Sequence, residues 1–329
     1  MEGGEKLARQ KNLRIQMHDK LNSILKIGES RHEHKKIAKR EALKNKETFN
    51  HAKTKYIHSV TTAENYRQSI ENFTGWLKEK HQEIWSTKDL SNIDKSVAYE
   101  YLREREEKKQ SAWTVSREMS ALNKILELNL TKKEGGLSVR KREEIVRSRL
   151  DREHDRKFNA ENYKEQIEFA KAFGLRRESF IKGDYRVKES SLFKDRETGR
   201  LYVSLIEKGG RYREAPCLEK YQSVMEGKYD VYERETFLNN GNVDKNVKNA
   251  YIEFYKQSDS DYLFDKYTNK IDNHAYRREY AQELYKQLIN QKEEVNYDYR
   301  NEYDSEVVKQ VSEALGHSRL DVTIDSYLK

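Results

Sequence analysis

The stretch Leu201-Tyr-Val-Ser-Leu-Ile-Glu-Lys-Gly-Gly-Arg-Tyr-Arg-Glu-Ala-Pro216 differs from the rest of a chain whose composition favours helices. Its first six residues are rich in β-branched and large apolar side chains, which is typical of a strand. Gly209-Gly210 is a two-residue turn signal, and the residues from Arg211 to Ala215 return as the paired strand. The stretch therefore predicts a β-hairpin inside a mainly helical protein.

The composition of the whole chain supports this fold class. The 329 residues include a single proline, and Lys, Glu and Leu are abundant, which favours helices. A chain of this length suits two domains of ordinary size. Its 22 Tyr, 10 Phe and 3 Trp exclude wholesale disorder, because they provide enough apolar surface for a core. We therefore predict a mainly α protein with a small β-sheet and two domains.

Several classes of protein are excluded by the same composition. No stretch approaches the roughly 18 apolar residues of a membrane span, and the acidic N-terminus lacks the apolar segment of a secretory signal. Cys217 is the only cysteine, so neither a disulfide framework within the chain nor a Cys-cluster metal site is expected. We expect a cytoplasmic protein without a metal or cofactor, and no small-molecule substrate is evident.

The net charge of +8 is concentrated in two segments of the chain. Residues 1–50 contain 13 Lys or Arg and seven Asp or Glu, and residues 131–157 contain ten and six. Such segments indicate contacts with phosphate, although a solvated helix face is an alternative interpretation. Basic side chains on these segments and near the motifs described below are predicted to contact double-stranded DNA: Lys35, Lys36, Lys39, Arg40, Arg117, Lys124, Arg140, Lys141, Arg142, Arg211 and Arg213.

The pattern along the chain predicts four segments. Residues 1–54 form a basic N-terminal helical arm, and residues 55–130 form a compact helical domain with apolar stripes at helical spacing. Residues 131–157 form a basic linker, in which Gly135 and Gly136 are a predicted hinge. Residues 158–329 have a mixed pattern of helices and strands.

Four short motifs occur in order within this last segment. They are Ala172-Phe-Gly-Leu-Arg176-Arg-Glu, then Glu207-Lys208 in the hairpin, then His274-Ala-Tyr-Arg277, and finally Leu315-Gly-His317 with Tyr327 ten residues further on. Each motif alone is weak, because a pattern such as H-x-x-R arises by chance. Together and in this order they resemble the tyrosine recombinase (phage integrase) family, over about residues 55–329.

The resemblance implies a fold and a set of site residues. In that family a helical core-binding (SAM-like) domain and a catalytic domain close on DNA as a C-shaped clamp, without a metal. The six residues that match the catalytic positions of the family are Arg176, Lys208, His274, Arg277, His317 and Tyr327.

The family assigns each of these residues a role. Arg176 and Arg277 would hold the scissile phosphate, and Lys208 would be the general acid for the leaving 5′ hydroxyl. The two histidines would assist proton transfer and phosphate binding. Tyr327 would be the nucleophile and form a 3′-phosphotyrosyl link. The chemistry fits, because two guanidiniums bind phosphate bidentately and compensate for a tyrosine whose ordinary pKa is near 10.

The sequence also departs from the pattern of the family. Ser179 stands three residues after Arg176, where the family usually has a glutamate. The charged pair Arg278-Glu279 follows Arg277, where the family often has His and then Ser or Thr. Many members continue well beyond the tyrosine with a tail that docks on a neighbouring subunit, whereas this sequence ends at Lys329.

Two hypotheses follow from these observations. The departures favour a DNA-binding regulator encoded by a phage or prophage, similar to recombinase-fold lysogeny repressors, in which the chemistry is silent or unused. The complete set of six polar residues favours an active site-specific recombinase. A nonspecific basic DNA binder is a third interpretation, against which the ordered motifs argue. Self-association on DNA stays open, since a dimer on inverted repeats and a monomer on a long asymmetric site are equally compatible.

Overall fold

The computed structural model divides the chain into two compact units, Met1–Ile145 and Val146–Lys329. This boundary falls inside the predicted linker, residues 131–157. The described residues are mainly helical with one four-stranded sheet, which confirms the predicted fold class. The structure describes residues 10–49, 54–141, 158–181, 183, 186–207, 211–237, 245–257, 261–268 and 270–329.

The described part of the first unit is helical. The segment predicted as a basic arm forms two of its helices, and no residue of the second of these is buried. The helices are α1 (Leu13–Ser23), α2 (Arg31–Lys44), α3 (Val60–Lys80), α4 (Gln82–Thr87), α5 (Lys95–Glu107), α6 (Ala112–Leu126) and α7 (Lys132–Gly135).

Polar side chains begin these helices, because they accept main-chain N–H groups that have no partner in the first turn. Ser111 and the stretch Ser91-Asn-Ile-Asp94 predict two helix starts, and the structure has Ser111 as the N-cap of α6 and Asp94 as the N-cap of α5. The stretch Thr61-Thr-Ala-Glu64 has the spacing of a capping box, which predicts that α3 starts at Thr61. This prediction is wrong. The N-cap of α3 is Ser59, whose hydroxyl accepts the N–H of Thr62.

The two glycines of the predicted hinge lie at the end of this helical unit. Gly135 is the last residue of α7 and is buried against the ring of Tyr99. The Tyr99 hydroxyl accepts the N–H of Thr131 at 2.9 Å, so the ring is fixed. Gly136 caps the helix in a left-handed conformation with φ of 65°, which glycine adopts without strain. Gly135 and Gly136 are therefore packed or ordered here, and neither lies in an open connector.

We expect the substitution Gly135→Ala to destabilise the first unit by about 1–3 kcal/mol, because an added Cβ would lie 2.5 Å from the Tyr99 ring. Gly75→Ala is the matched control. Gly75 lies inside α3 with open space around it, so alanine there should stabilise the helix by about 0.5–1 kcal/mol. Urea unfolding followed by tryptophan fluorescence measures both changes. A neutral Gly135→Ala variant would favour an open linker.

The second unit combines helices with the predicted hairpin. The described chain ends in a π-helical turn, Ile324–Leu328. The elements are α8 (Lys164–Phe173), α9 (Glu178–Ile181), β1 (Leu192–Asp195), β2 (Leu201–Glu207), β3 (Arg211–Pro216), α10 (Glu219–Lys228), β4 (Tyr232–Arg234), α11 (Lys245–Gln257), α12 (Asn273–Asn290), α13 (Ser305–Ala314) and α14 (Leu320–Thr323).

The sheet has the strand order β3-β2-β1-β4, in which β1 and β4 are parallel and the other pairs are antiparallel. The pairing of β2 with β3 confirms the predicted hairpin, whose turn at residues 208–210 lies outside the described residues. Leu205 is opposite Arg213, and Glu207 is opposite Arg211. Because side chains alternate along a strand, Glu207 and Arg213 lie on the same face of the sheet.

Cys217 directly follows β3 and is part of the core of the second unit. Its N–H donates to the carbonyl of Leu201 at 2.7 Å, and its side chain is fully buried. Burial raises the pKa of the thiol to about 12, because the thiolate would lose its hydration. Cys217 is thus a small apolar core residue with an unreactive thiol.

Two negative findings hold for the described part of the chain. Every helix in it is too short or too polar to cross a lipid bilayer. In the same residues, no group of three or more His, Cys, Asp or Glu side chains is arranged to hold a metal ion.

Candidate functional site

Four of the six motif residues form one connected cluster in the second unit. Arg176 and Arg277 share a carboxylate, and the rings of His317 and Tyr327 lie beside Arg277. His274 lies one turn before Arg277 on α12. The sixth residue, Lys208, lies outside the described residues, and its predicted role stays a prediction.

The shared carboxylate belongs to Glu207, the last residue of β2, which is only 2% exposed. Arg213 Nη2 lies 3.1 Å from Glu207 Oε1, and Arg277 Nη1 lies 3.3 Å from the same oxygen. Arg176 Nη1 donates to Oε2. Burial opposes ionisation of Glu207, but the three guanidiniums outweigh it and hold its pKa below the ordinary value. One carboxylate faces three cations, so the cluster keeps a net positive charge.

Main-chain carbonyls hold two of these arginines from the opposite side. Arg277 is 0% exposed and donates to the carbonyls of Gly174, at 2.6 Å, and Leu315. Arg213 donates to the carbonyl of Ala314 and, at 3.4 Å, to that of Gly174. These carbonyls lie at the C-terminal ends of α8 and α13, where they lack partners within the helix and carry the negative end of the helix dipole. The two arginines therefore tie both helix ends to the sheet and to α12.

The sequence predicts Arg213 as a DNA contact, and the structure contradicts this. Arg213 is 1% exposed and lies on the same face of the sheet as Glu207, with which it forms an ion pair. Burial lowers the pKa of Arg213 to about 10, so the guanidinium is still charged at neutral pH. Its role is that of a buried counterion.

Arg176 differs from the other two arginines in its access to solvent. Its side chain is 23% exposed, and it follows the C-cap of α8 by two residues. Burial, followed by the charge of Arg277, lowers its pKa. Of the three guanidiniums, Arg176 is the one that a bound anion reaches from outside.

The imidazole of His317 lies beside the cations and is held by hydroxyl groups. Its Nδ1 lies 3.0 Å from the hydroxyl oxygen of Thr323, which in turn lies 2.8 Å from that of Ser312. Burial, and then the charges of Arg277 and Arg176, lower the pKa of His317 to about 3. The imidazole is therefore neutral at physiological pH, and the hydroxyl chain fixes its orientation.

Tyr327 covers this cluster with its ring. The centroid of the Tyr327 ring lies 5.1 Å from the centroid of the His317 ring and 5.8 Å from the guanidinium carbon of Arg277. The residue belongs to the π-helical turn, a rare conformation that often marks functional sites. Tyr327 therefore lies beside His317 and Arg277, and its role as a nucleophile stays a prediction.

His274 occupies the rim of the same site. Its side chain reaches solvent from the first turn of α12. Partial desolvation and then the charge of Arg277 lower its pKa, which favours the neutral imidazole.

In the first unit, the basic residues of α2 form an exposed face. Lys36, Lys39 and Arg40 are exposed, and Lys35 is half-buried. The Lys36 ammonium lies 3.1 Å from the Glu33 carboxylate, an exposed pair one turn away on the same helix. Most of the positive charge of this helix is therefore directed to solvent.

Three further residues predicted to contact DNA lie in different surroundings. Lys124 donates to the carbonyl of Thr54, and burial lowers its pKa, so it serves the packing of the helical unit instead of an exposed contact. Arg117 is half-buried on α6. The Arg140 guanidinium lies 4.8 Å from the ring centroid of Trp113, which is 40% exposed. Arg140 and Trp113 form an exposed cation–π pair.

The remaining basic residues predicted to contact DNA are Lys141, Arg142 and Arg211. Lys141 is exposed. Arg142 lies outside the described residues, and Arg211 belongs to β3 with its side chain outside the description. Their predicted DNA contacts stay predictions.

Three residues that the structure places near the predicted ones have no role predicted from the sequence. Glu207 is part of the hairpin motif, and the spacing of 207 and 213 across the turn is the signal that places both on one face of the sheet. Thr323 supports His317, and Trp113 pairs with Arg140. No local motif identifies these two, because both pairings are made by folding.

Comparison with known proteins identifies part of the chain. Residues 49–132 match the model of the phage integrase N-terminal SAM-like domain. The match spans α3 to α6. It confirms the predicted resemblance to the tyrosine recombinase (phage integrase) family.

Two solved structures are similar to the chain. The XerH site-specific recombinase bound to palindromic difH substrate, in a post-cleavage complex, is 15% identical, with 99% of this chain and 95% of that chain covered and a TM-score of 0.47. The Tn1549 transposon integrase in complex with transposon right end DNA is 13% identical, with coverages of 89% and 94% and a TM-score of 0.38. No curated protein matches the sequence.

Proposed function

We propose that this chain is a sequence-specific double-stranded DNA-binding protein on a tyrosine-recombinase fold, and that it regulates a phage or mobile element with its recombinase chemistry unused. The integrase SAM-like domain at residues 49–132 supports the DNA partner. Arg176, the member of the net positive cluster that reaches solvent, and the basic face of α2 provide two places where a phosphate could bind.

The burial and the hydrogen bonds of Arg277 are the observation that favours the regulator over the enzyme. A catalytic guanidinium must present its N–H groups to the phosphate. Arg277 is 0% exposed, and its two terminal nitrogens donate to the carbonyls of Gly174 and Leu315 and contact Glu207. Both terminal nitrogens are therefore engaged inside the protein, and the guanidinium carbon lies 5.8 Å from the centroid of the Tyr327 ring. This arrangement suits a structural ion pair.

An active recombinase is the second candidate, and a specific observation favours it. Arg176, Arg277, His317 and Tyr327 come from distant parts of the sequence and meet in one cluster. Movement of the terminal turn would uncover Arg277 and bring the Tyr327 hydroxyl to a phosphate that Arg176 holds.

A covalent trapping experiment separates the two candidates. Genomic DNA bound by the protein is recovered and the site is sequenced, and duplexes nicked beside each candidate scissile phosphate are prepared. Nicking traps a phosphotyrosyl intermediate, because the short strand that carries the leaving 5′ hydroxyl diffuses away. The protein and its Tyr327→Phe variant are incubated with these duplexes and separated in SDS.

For the regulator, we expect binding at least about 10³-fold tighter than to bulk DNA, without an SDS-resistant adduct and with no change in Tyr327→Phe. An adduct that disappears in Tyr327→Phe would establish the recombinase and overturn the regulator. Equal affinity for the recovered site and bulk DNA would leave a nonspecific binder and contradict both.

A further inference from the structure

We infer that Glu207 is a positioning residue for DNA binding, whose carboxylate holds the Arg176 guanidinium where it contacts a DNA phosphate. The inference rests on the proposed DNA-binding function, and it adds a residue to which the resemblance gives no role. Arg176 is the member of the cluster that reaches solvent, and it donates directly to Glu207 Oε2. The contact with DNA belongs to Arg176, and Glu207 acts through it.

Glu207 is rigid enough for this task. It is 2% exposed at the end of β2, and its Oε1 lies 3.1 and 3.3 Å from nitrogens of Arg213 and Arg277. Both of these arginines are anchored to main-chain carbonyls at the ends of α8 and α13. The carboxylate is therefore fixed by the sheet and by two buried cations, which leaves Oε2 for Arg176.

The ion pair with Glu207 orders the Arg176 guanidinium before DNA binds, which favours its contact with a phosphate. A free arginine side chain samples many rotamers, and part of this entropy is lost when the side chain is ordered on a ligand. The ion pair with Glu207 orders the guanidinium before DNA arrives, so this cost is met during folding. Because three guanidiniums share one carboxylate, the site also keeps the positive charge that attracts a phosphate.

The test is a double-mutant cycle on affinity for the recovered DNA site, at one salt concentration and in the full-length protein. We expect Glu207→Gln and Arg176→Ala each to weaken binding about tenfold, the effect of one charge-assisted hydrogen bond. The double variant should bind no more weakly than Arg176→Ala alone, because Glu207 acts through Arg176. Glu207→Asp keeps the charge with a shorter reach, so it should also weaken binding if Glu207→Gln fails to fold.

Glu214→Gln is the matched control for loss of a buried carboxylate from the same sheet. Glu214 lies on β3, and its side chain is fully buried and 2.6 Å from Arg234 Nη2. We expect this variant to lose stability and keep its DNA affinity. Additive effects of Glu207→Gln and Arg176→Ala, or equal losses of affinity in the Glu207 and Glu214 variants, would overturn the inference.

The outcome for the wild-type protein separates this inference from the proposed function. If wild-type protein does not distinguish the recovered site from bulk DNA, the proposed function fails and the inference fails with it. If wild-type protein is specific and Arg176→Ala binds as tightly, the inference alone is wrong. The same holds if Arg176→Ala binds weakly while both Glu207 variants bind like wild type.

Discussion

Replacing Arg213 with methionine should destabilise the second unit by about 3–5 kcal/mol and leave the first unit unchanged. Arg213 is 1% exposed, and its loss removes a counterion from Glu207 and a donor from the carbonyls of Ala314 and Gly174. Glu207 keeps Arg176 and Arg277 as counterions, so the expected cost comes from the ion pair that is lost and from the buried Ala314 carbonyl, which loses its donor. The effect should be among the largest of any single substitution in the protein.

The tryptophans make this prediction measurable unit by unit. All three, Trp76, Trp85 and Trp113, lie in the first unit, so their fluorescence reports its unfolding, whereas far-ultraviolet circular dichroism reports both units. In urea, Arg213→Met should shift the dichroism transition and leave the fluorescence transition in place. Arg319→Met is the control, because Arg319 is 68% exposed and should contribute less than about 0.5 kcal/mol. Wild-type stability with weakened DNA binding would instead restore Arg213 as a DNA contact.

Neutralising the basic face of α2 should have the largest effect on DNA affinity. Four charges change to glutamine in one variant, and each phosphate contact that is lost reduces the slope of log affinity against log salt by about 0.9. If all four residues contact phosphate, the slope falls by about 3.6 and affinity at low salt falls by several powers of ten. The residues are Lys35, Lys36, Lys39 and Arg40.

The expected loss is independent of sequence, because phosphate contacts do not read bases. Affinity is measured for the recovered site and for bulk DNA, over a range of salt concentrations, and both should fall in parallel. A control with the same change in net charge, on exposed lysines of other helices, should keep most of the wild-type slope. A neutralised α2 with the wild-type slope would remove this helix from the interface. The control residues are Lys78, Lys80, Lys164 and Lys286.

The elements of the fold were largely predictable because they depend on local patterns. The hairpin follows from apolar residues around a Gly-Gly turn, and Ser111 and Asp94 begin helices where such side chains usually do. The start of α3 was misplaced because both Thr61 and Ser59 are suitable caps, and packing decides between them. Gly135 was assigned to a linker from its composition, although a distant ring, that of Tyr99, packs against it.

The sequence predicted which residues form the candidate site better than it predicted their burial and their partners. Motif order identified Arg176, Arg277, His317 and Tyr327, which the structure brings together. The burial of Arg213 and Arg277 depends on which face of a strand or helix meets the core, and on helix ends supplied by distant residues. The sequence alone does not distinguish an arginine on the surface from one in a buried ion pair. Arg213 was therefore predicted to contact DNA.

Cys217 gives the second unit an internal reporter of transient opening. A thiol with a raised pKa and no solvent access reacts with a maleimide or a disulfide reagent only when the surrounding structure opens. Because the chain has no other cysteine, the labelling rate in native buffer reads the opening equilibrium of that unit directly. Measured with and without DNA, the labelling rate of Cys217 would report how strongly a bound duplex suppresses transient opening of the unit that contains the arginine cluster.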